Sequence, residues 1–420
     1  MTNYPLLLYI DPGTGAMLFS VLMGIVGVLF YALKGAIIKI RFILSGGKVT
    51  SSSDNKIPLV IFSDNKRYWN CFKAICEELE KRQFKCEYWT ASPDDPALSE
   101  KYEYVKTMFI GEGNKAFAKL NLMNAYMCLS TTPGLDVYQW KRSKNTDCYI
   151  HIFHNFAEPL LYRMFGIDYY DVILASGNEE ERYIRRLEKH WNSDEKEIKV
   201  VGLPYLDDLL RRKQEFEKNN LNTSNENVVV LLAPSWGESS ITNKYGEKFI
   251  NALINTGYNI IYRPHPQSFT ADKELMDNLM NKFPDNDKFT WDKNPDNFES
   301  LNKADILISD FSGIIYDFSL CFDKPVMYAN SGFDPSPYDS YWLNGDSWSV
   351  SNLPNVGKEL NEDDFNNLKS VIDDLLSNSD YKSSRNNIKK EAWKNIGTSH
   401  IAAADYLIEK YNSLVDSENT

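Results

Sequence analysis

Short apolar runs alternate with amphipathic stretches over most of the chain, and that alternation predicts strands and helices laid in turn along a mostly parallel sheet. In the first half, residues 57–62, 86–90, 105–110, 125–129, 148–153, 172–175 and 198–201 read as buried strands. Between them, residues 68–82 place Phe72, Ile75, Cys76 and Leu79 on one helical face, and residues 178–191 run from Glu to Arg and Lys in the order that suits a helix dipole. Residues 211–227 are polar and without a strand, so they read as a boundary between domains. The pattern resumes at VVVLLA (228–233), a continuous apolar run of the kind found in central parallel strands, and continues at 259–263, 305–309 and 325–328. From residue 362 the spacing of Phe365, Leu368, Ile372 and Leu376 is helical. The expected soluble fold is α/β, with two Rossmann-like domains over 56–210 and 228–380, a helical tail over 381–420, and a cleft between the domains.

The N-terminus departs from this pattern. Residues 16–33 (AMLFSVLMGIVGVLFYAL) form 18 consecutive positions without a charge. As a helix they would span roughly 27 Å, close to a hydrocarbon core of about 30 Å. No basic residue precedes the run, as a cleaved signal would need, whereas Lys34, Lys39, Arg41 and Lys48 follow it. The expectation is a transmembrane helix within an anchor over 1–45, with the rest of the chain at the cytoplasmic face of the cell membrane and in contact with its lipids. Residues 46–56 (GGKVTSSSDNK) make a polar linker to the first domain.

Composition narrows the partners. The formal charge is −12 and no run of Lys and Arg forms a polyanion-binding stripe, which argues against nucleic acid. A small anion remains admissible, because a local pocket of amides, Arg and His outweighs distant charge that salt screens. The six cysteines lack any Cys-x-x-Cys pair and sit among apolar neighbours, as buried reduced thiols do. No dense cluster of carboxylates marks a Mg²⁺ site, so neither a metal nor another cofactor is expected.

Candidate chemistry gathers where strands of the second half end, the place where open parallel sheets bind ligands. One such loop is Pro234-Ser235-Trp236-Gly237, a second is Arg263-Pro264-His265-Pro266, and a third is Ser309-Asp310-Phe311-Ser312-Gly313, opening a helix over 314–322. In the third, Ser312 is placed to cap the helix, Gly313 lets a ligand approach the backbone, and the free amides make an anion site; simple capping without a ligand stays open. Asp317 lies near the same end, suited to bond a substrate hydroxyl or orient a His. In the second loop two prolines stiffen the chain around one imidazole, offering a phosphate the fork of Arg263 and the titratable His265. In the first half, His154 leaves the end of the 148–153 strand toward the cleft, whereas His151 reads as structural.

These residues resemble a known family. APSW (233–236), RPHP (263–266) and SDFSGIIYDFSLCFDKPVMY (309–328) are similar to motifs of the CDP-glycerol glycerophosphotransferases that build teichoic-acid and capsule polymers, and Gly202-Leu203-Pro204-Tyr205-Leu206-Asp207 matches a Gly-x-Pro-x-x-Asp element of that family. The resemblance covers about residues 145–330. It implies a glycosyltransferase-B-like fold and transfer of a phosphopolyol from a CDP-activated donor to a lipid-linked or growing polymer acceptor. It further implies His154 as general base, His265 beside it in the catalytic set, and Arg263, Ser309, Asp310, Ser312, Gly313 and Asp317 around the donor phosphates. Pro234, Ser235, Trp236 and Asn155 are then candidate donor or acceptor contacts. The chain departs from the family at Phe153-His154-Asn155-Phe156, where the pattern is Trp-His-Gly-Thr, at Gly313 in place of a second Ser, and at Gly237 in place of Arg or Lys. Those departures keep two alternatives in view: a glycosyltransferase using a nucleotide-sugar donor, and a non-catalytic membrane-bound binding protein of the same fold.

Overall fold

A computed structural model describes residues 56–156, 161–219, 227–329, 332, 334–336, 338–342, 347–378 and 381–418. They form two parallel sheets. The first is built from β1 (Ile57–Ser63), β2 (Cys86–Thr90), β3 (Val105–Phe109), β4 (Asn124–Ser130), β5 (Asn145–Ile152), β6 (Val172–Ala175) and β7 (Glu197–Val200), in the order β3-β2-β1-β4-β5-β6-β7. The second comprises β8 (Val229–Leu232), β9 (Asn259–Tyr262), β10 (Phe289–Trp291), β11 (Ile306–Ser309), β12 (Val326–Ala329) and β13 (Lys358–Leu360), in the order β10-β9-β8-β11-β12-β13. In each sheet the order reverses beside the first strand, which opens a crevice at the carboxyl ends of β1 and β4 and of β8 and β11. Burial explains the apolar runs: every residue of β6, β8, β11 and β12 is covered on both faces.

The form of two expected elements is corrected. The polar stretch from residue 211, read as a boundary between domains, lies between the two sheets but opens as the end of one long helix, Pro204–Asn219. Its outer face looks like a linker because it is charged, but Arg211 pairs with Asp208 and Glu215 and Lys213 with Glu217 at helical spacing. Its inner face buries Leu206 and Leu209 in a cluster that also holds Phe298, Leu301, Phe318 and Phe322 of the second domain. Arg212 reaches the second domain as well, pairing with Asp296 and lying 4.2 Å over the Phe298 ring. The helix is therefore a packed bridge. The second correction is the helix expected over 314–322, which is one α turn, Ile314–Tyr316, followed by a π-helical segment, Asp317–Phe322.

The last described helix packs back on the first domain. In the last helix, Ser399–Glu418, Ala403, Ala404, Tyr406 and Leu407 pack in one cluster with Phe72, Ile75 and Leu79 of the helix Trp69–Lys81. Asp207 holds the crossover, its carboxylate accepting from the Gly397 amide (2.7 Å), the Ser399 amide (2.8 Å) and the Ser399 hydroxyl (2.6 Å). Gly202 is required beside it: its φ is +93°, and a Cβ would stand 2.3 Å from the Lys394 carbonyl oxygen. All six cysteines are buried free thiols. Among the described residues no helix is long and apolar enough to cross a membrane, and the 16–33 run lies outside the described residues.

Candidate active site

The two crevices face each other across a cleft of about 490 Å³. From the second domain it receives Pro234, Trp236, Arg263, His265, Ser312, Gly313 and Asp317, and from the first His154 and Asn155. Strand geometry accounts for the gathering, because each of these residues but Asp317 follows the carboxyl end of β8, β9, β11 or β5 within a few positions. Three candidates lie elsewhere. The Ser309 hydroxyl donates to the Ala233 carbonyl (2.6 Å). Asp310 is buried and accepts from the amides of Ser235 (2.9 Å), Ile241 (3.0 Å) and Phe311 (2.8 Å). Ser235 is itself buried by this clasp, so the three residues tie the first loop to the third and shape the cleft without lining it.

The cleft's two histidines are set up differently. The Gln267 amide donates to Nδ1 of His265 (3.1 Å), which leaves the proton of the neutral ring on Nε2. His265 is thus a built hydrogen-bond donor, with its ring stacked toward Trp236 at 6.3 Å. His154 Nδ1 meets the Thr131 hydroxyl at 2.9 Å, a partner able to give or accept a proton. When that hydroxyl accepts, Nε2 carries a free lone pair. Burial, reinforced by the charge of Arg67, pushes the pKa of each ring down to about 4, so both are neutral near pH 7. His151 takes no part: it is fully buried in β5, with Nε2 3.2 Å from the Tyr162 hydroxyl.

The remaining groups divide between charge and support. Arg263 lines the cleft, yet its Nη1 pairs with Asp292 at 2.5 Å and its Nη2 reaches the Pro295 carbonyl at 3.4 Å, so its fork is already occupied. The Ser312 side chain does not cap the following helix; Gly313 holds the cap position, and the Ser312 hydroxyl is left at the cleft wall. Asp317 is buried, which raises its pKa to about 7. One of its oxygens accepts from the Tyr205 hydroxyl (3.2 Å), which in turn accepts from the Asn297 side-chain amide (2.8 Å); the other, Oδ1, has no partner among the described residues. A carboxyl near half-protonation at the floor of a polar cleft can hold or give a proton.

The decisive comparison is with sequence families: residues 52–340 match the model of the CDP-glycerol:poly(glycerophosphate) glycerophosphotransferases. The chain belongs to this family. It is accordingly a transferase of the glycerophosphotransferase type. The sequence matches none of the curated proteins compared with it. Among solved structures, the wall teichoic acid polymerase TagF superposes with a TM-score of 0.61 at 17% identity, covering 91% of this chain and 98% of that one. A UDP-GlcNAc 2-epimerase from Methanocaldococcus jannaschii aligns at TM-score 0.51 and 14% identity, over 84% of this chain and 99% of the other. At such identities these likenesses speak for the two-domain glycosyltransferase-B-like fold.

Family membership gives the departures a structural setting. Asn155, standing where the family pattern has Gly, lies against Gly313, standing where it has the second Ser: a Cβ on Gly313 would be 3.3 Å from Asn155 Nδ2. Sequence reasoning missed Arg67, Tyr68, Thr131 and Tyr205. The first three follow the carboxyl ends of β1 and β4, so the strand-end rule, applied to the first domain as to the second, was the signal that points to them.

Proposed function

We propose that the protein transfers a glycerol-phosphate-type phosphopolyol from a CDP-activated donor to a hydroxyl of a lipid-linked or growing cell-surface polymer. The observation that carries this reading is the pair of neutral histidines in one cleft, one fixed as a donor and the other free to accept. The acceptor hydroxyl attacks the donor's distal phosphorus in line; its proton passes to Nε2 of His154 as the new P–O bond forms, and the bond to CMP breaks. His265 Nε2–H and the Ser312 hydroxyl face the phosphoryl oxygens and stabilise the charge that develops on them. The TagF structures include one soaked with CDPG, which supports a CDP-linked donor for this fold. The uncharged run at 16–33 supports an anchor that holds the cleft at the cytoplasmic face, beside membrane lipids and a lipid-linked acceptor.

The test is nucleotide release by the purified full chain in detergent, with CDP-glycerol, CDP-ribitol or UDP-sugars as donor and a lipid-linked acceptor. Acceptor-dependent CMP release from a CDP-polyol supports the proposal. UDP release alone would assign a nucleotide-sugar glycosyltransferase, and nucleotide binding without release would assign a binding protein.

A further inference from the structure

The cleft needs positive charge for a diphosphate, and its second-domain wall supplies little of it. Among the described residues that line the cleft, the only arginines are Arg263 and Arg67. Arg263 is neutralised by Asp292, and position 237, where the family pattern has Arg or Lys, is Gly. Nearby, Lys66 is paired with Asp94. Arg67 differs. It follows β1 on the first domain, is exposed, and has no described carboxylate within 4 Å, the nearby Asp64 acting on it only through space. Its guanidinium lies 4.9 Å over the Tyr68 ring, and that ring is 4.6 Å from His154. The backbone beneath it is fixed, since Asn65 accepts from the Arg67 amide (3.1 Å) and Ser92 from the Lys66 amide (3.0 Å). Its charge reaches both His154 and His265, which face one another from different domains.

We propose that Arg67, reaching in from the first domain, grips the distal phosphate of the donor's diphosphate, so that the donor itself ties the two domains together. The proposal rests on the phosphotransfer reading above and adds to it a phosphate contact on the wall opposite the donor loops. A planar guanidinium braced on an aromatic ring presents two parallel N–H groups to phosphate oxygens, which a lysine does not. It follows that an anion on Arg67 offsets the charge holding His154 down, so the base strengthens once the donor is seated.

Calorimetric titration of the full chain in detergent with CDP and with CMP tests this, in the wild type and in Arg67→Gln, Arg67→Lys and Lys66→Gln. The expected result is at least about tenfold weaker CDP binding for Arg67→Gln, with CMP affinity changed by less than about threefold. Arg67→Lys should fall between, and Lys66→Gln should match the wild type. Equal CDP affinity in Arg67→Gln and wild type overturns the proposal, as does a parallel loss for CDP and CMP, which would place Arg67 elsewhere. A wild type that binds neither nucleotide overturns the CDP-donor reading itself, and this proposal with it. Unchanged thermal melting of both Arg67 variants excludes misfolding as the source of a loss, and Arg67→Lys supplies the readout if Arg67→Gln melts early.

Discussion

His154 and His265 occupy opposite walls of one cleft, are both shifted by burial and share the same cationic neighbour, yet the backbone around them makes them different reagents. His265 sits in a proline-braced loop that delivers the Gln267 amide to Nδ1, so its outward nitrogen carries hydrogen and can only donate while the ring is neutral. His154 follows β5 and is met by a hydroxyl, which leaves both tautomers open. The difference teaches that the pKa alone does not assign roles here, since both are pushed to about 4. The partner on the inner nitrogen does.

The largest effect should come from removing the group that can accept a proton. His154→Ala is expected to lower turnover by about 10²–10⁴ with donor affinity nearly intact; a matching loss of donor binding would make His154 a structural residue. The pH profile sharpens the assignment. A base must be deprotonated to act, and burial and Arg67 hold this one near 4 in the free protein, so its own titration should leave kcat/KM level as pH falls from about 7 to about 5, while a change centred near 7 that Asp317→Asn abolishes belongs to Asp317. A drop centred near 6.5 would show an unperturbed imidazole instead. His265→Ala, by contrast, should weaken donor binding by about 10- to 100-fold, the worth of a hydrogen bond to a charged group. His265→Gln keeps an N–H and should recover part of it. If His265→Ala leaves donor affinity intact while abolishing turnover, the two roles are reversed.

How far the chain disclosed this arrangement varies by region. The strands of both domains are readable because parallel strands covered on both faces need continuous apolar runs, as in VVLL of β8 and ILIS of β11. β10 and β13 are not, since they are three-residue strands at the two sheet edges and KEL carries no apolar pattern. The second-domain loops stand out through their prolines and glycines, which local conformation demands. Arg263 illustrates what a motif leaves unsaid: the loop predicts a phosphate fork, but Asp292, distant in sequence, occupies it. The Tyr205–Asp317 contact likewise joins residues 112 positions apart, and the burial that raises the Asp317 pKa exists only once the helix Pro204–Asn219 bridges the domains. Local rules do not report tertiary pairing.

A smaller effect probes what orients the base. Thr131→Val keeps the shape of the side chain and removes the hydroxyl that faces Nδ1 of His154. The lost bond is worth about 1 kcal/mol, so kcat should fall by roughly five- to tenfold while KM for the donor stays within about twofold. A change confined to KM would separate Thr131 from the base and weaken the contrast with His265, whose partner is a backbone amide that no side-chain substitution removes.

The smallest effect tests whether the two altered motifs compensate each other across the cleft. Gly313→Ser alone adds a Cβ 3.3 Å from both Asn155 Nδ2 and the Phe156 carbonyl oxygen, a crowded contact that should cost a few-fold in kcat/KM. Asn155→Gly alone removes a side chain whose Oδ1 is buried without a partner among the described residues, so its own cost should be modest. Together the substitutions restore the family's Gly and Ser at these positions and remove the Asn155 part of the crowding, leaving the Phe156 carbonyl contact. The double variant should therefore lose less than the two single losses combined, with a coupling of about 0.5–1.5 kcal/mol, or roughly two- to tenfold. Strict additivity would mean that the Asn155 and Gly313 substitutions arose without regard to each other. The contact between the walls would then be incidental to the site, and the division of labour between His154 and His265 would rest on each wall separately.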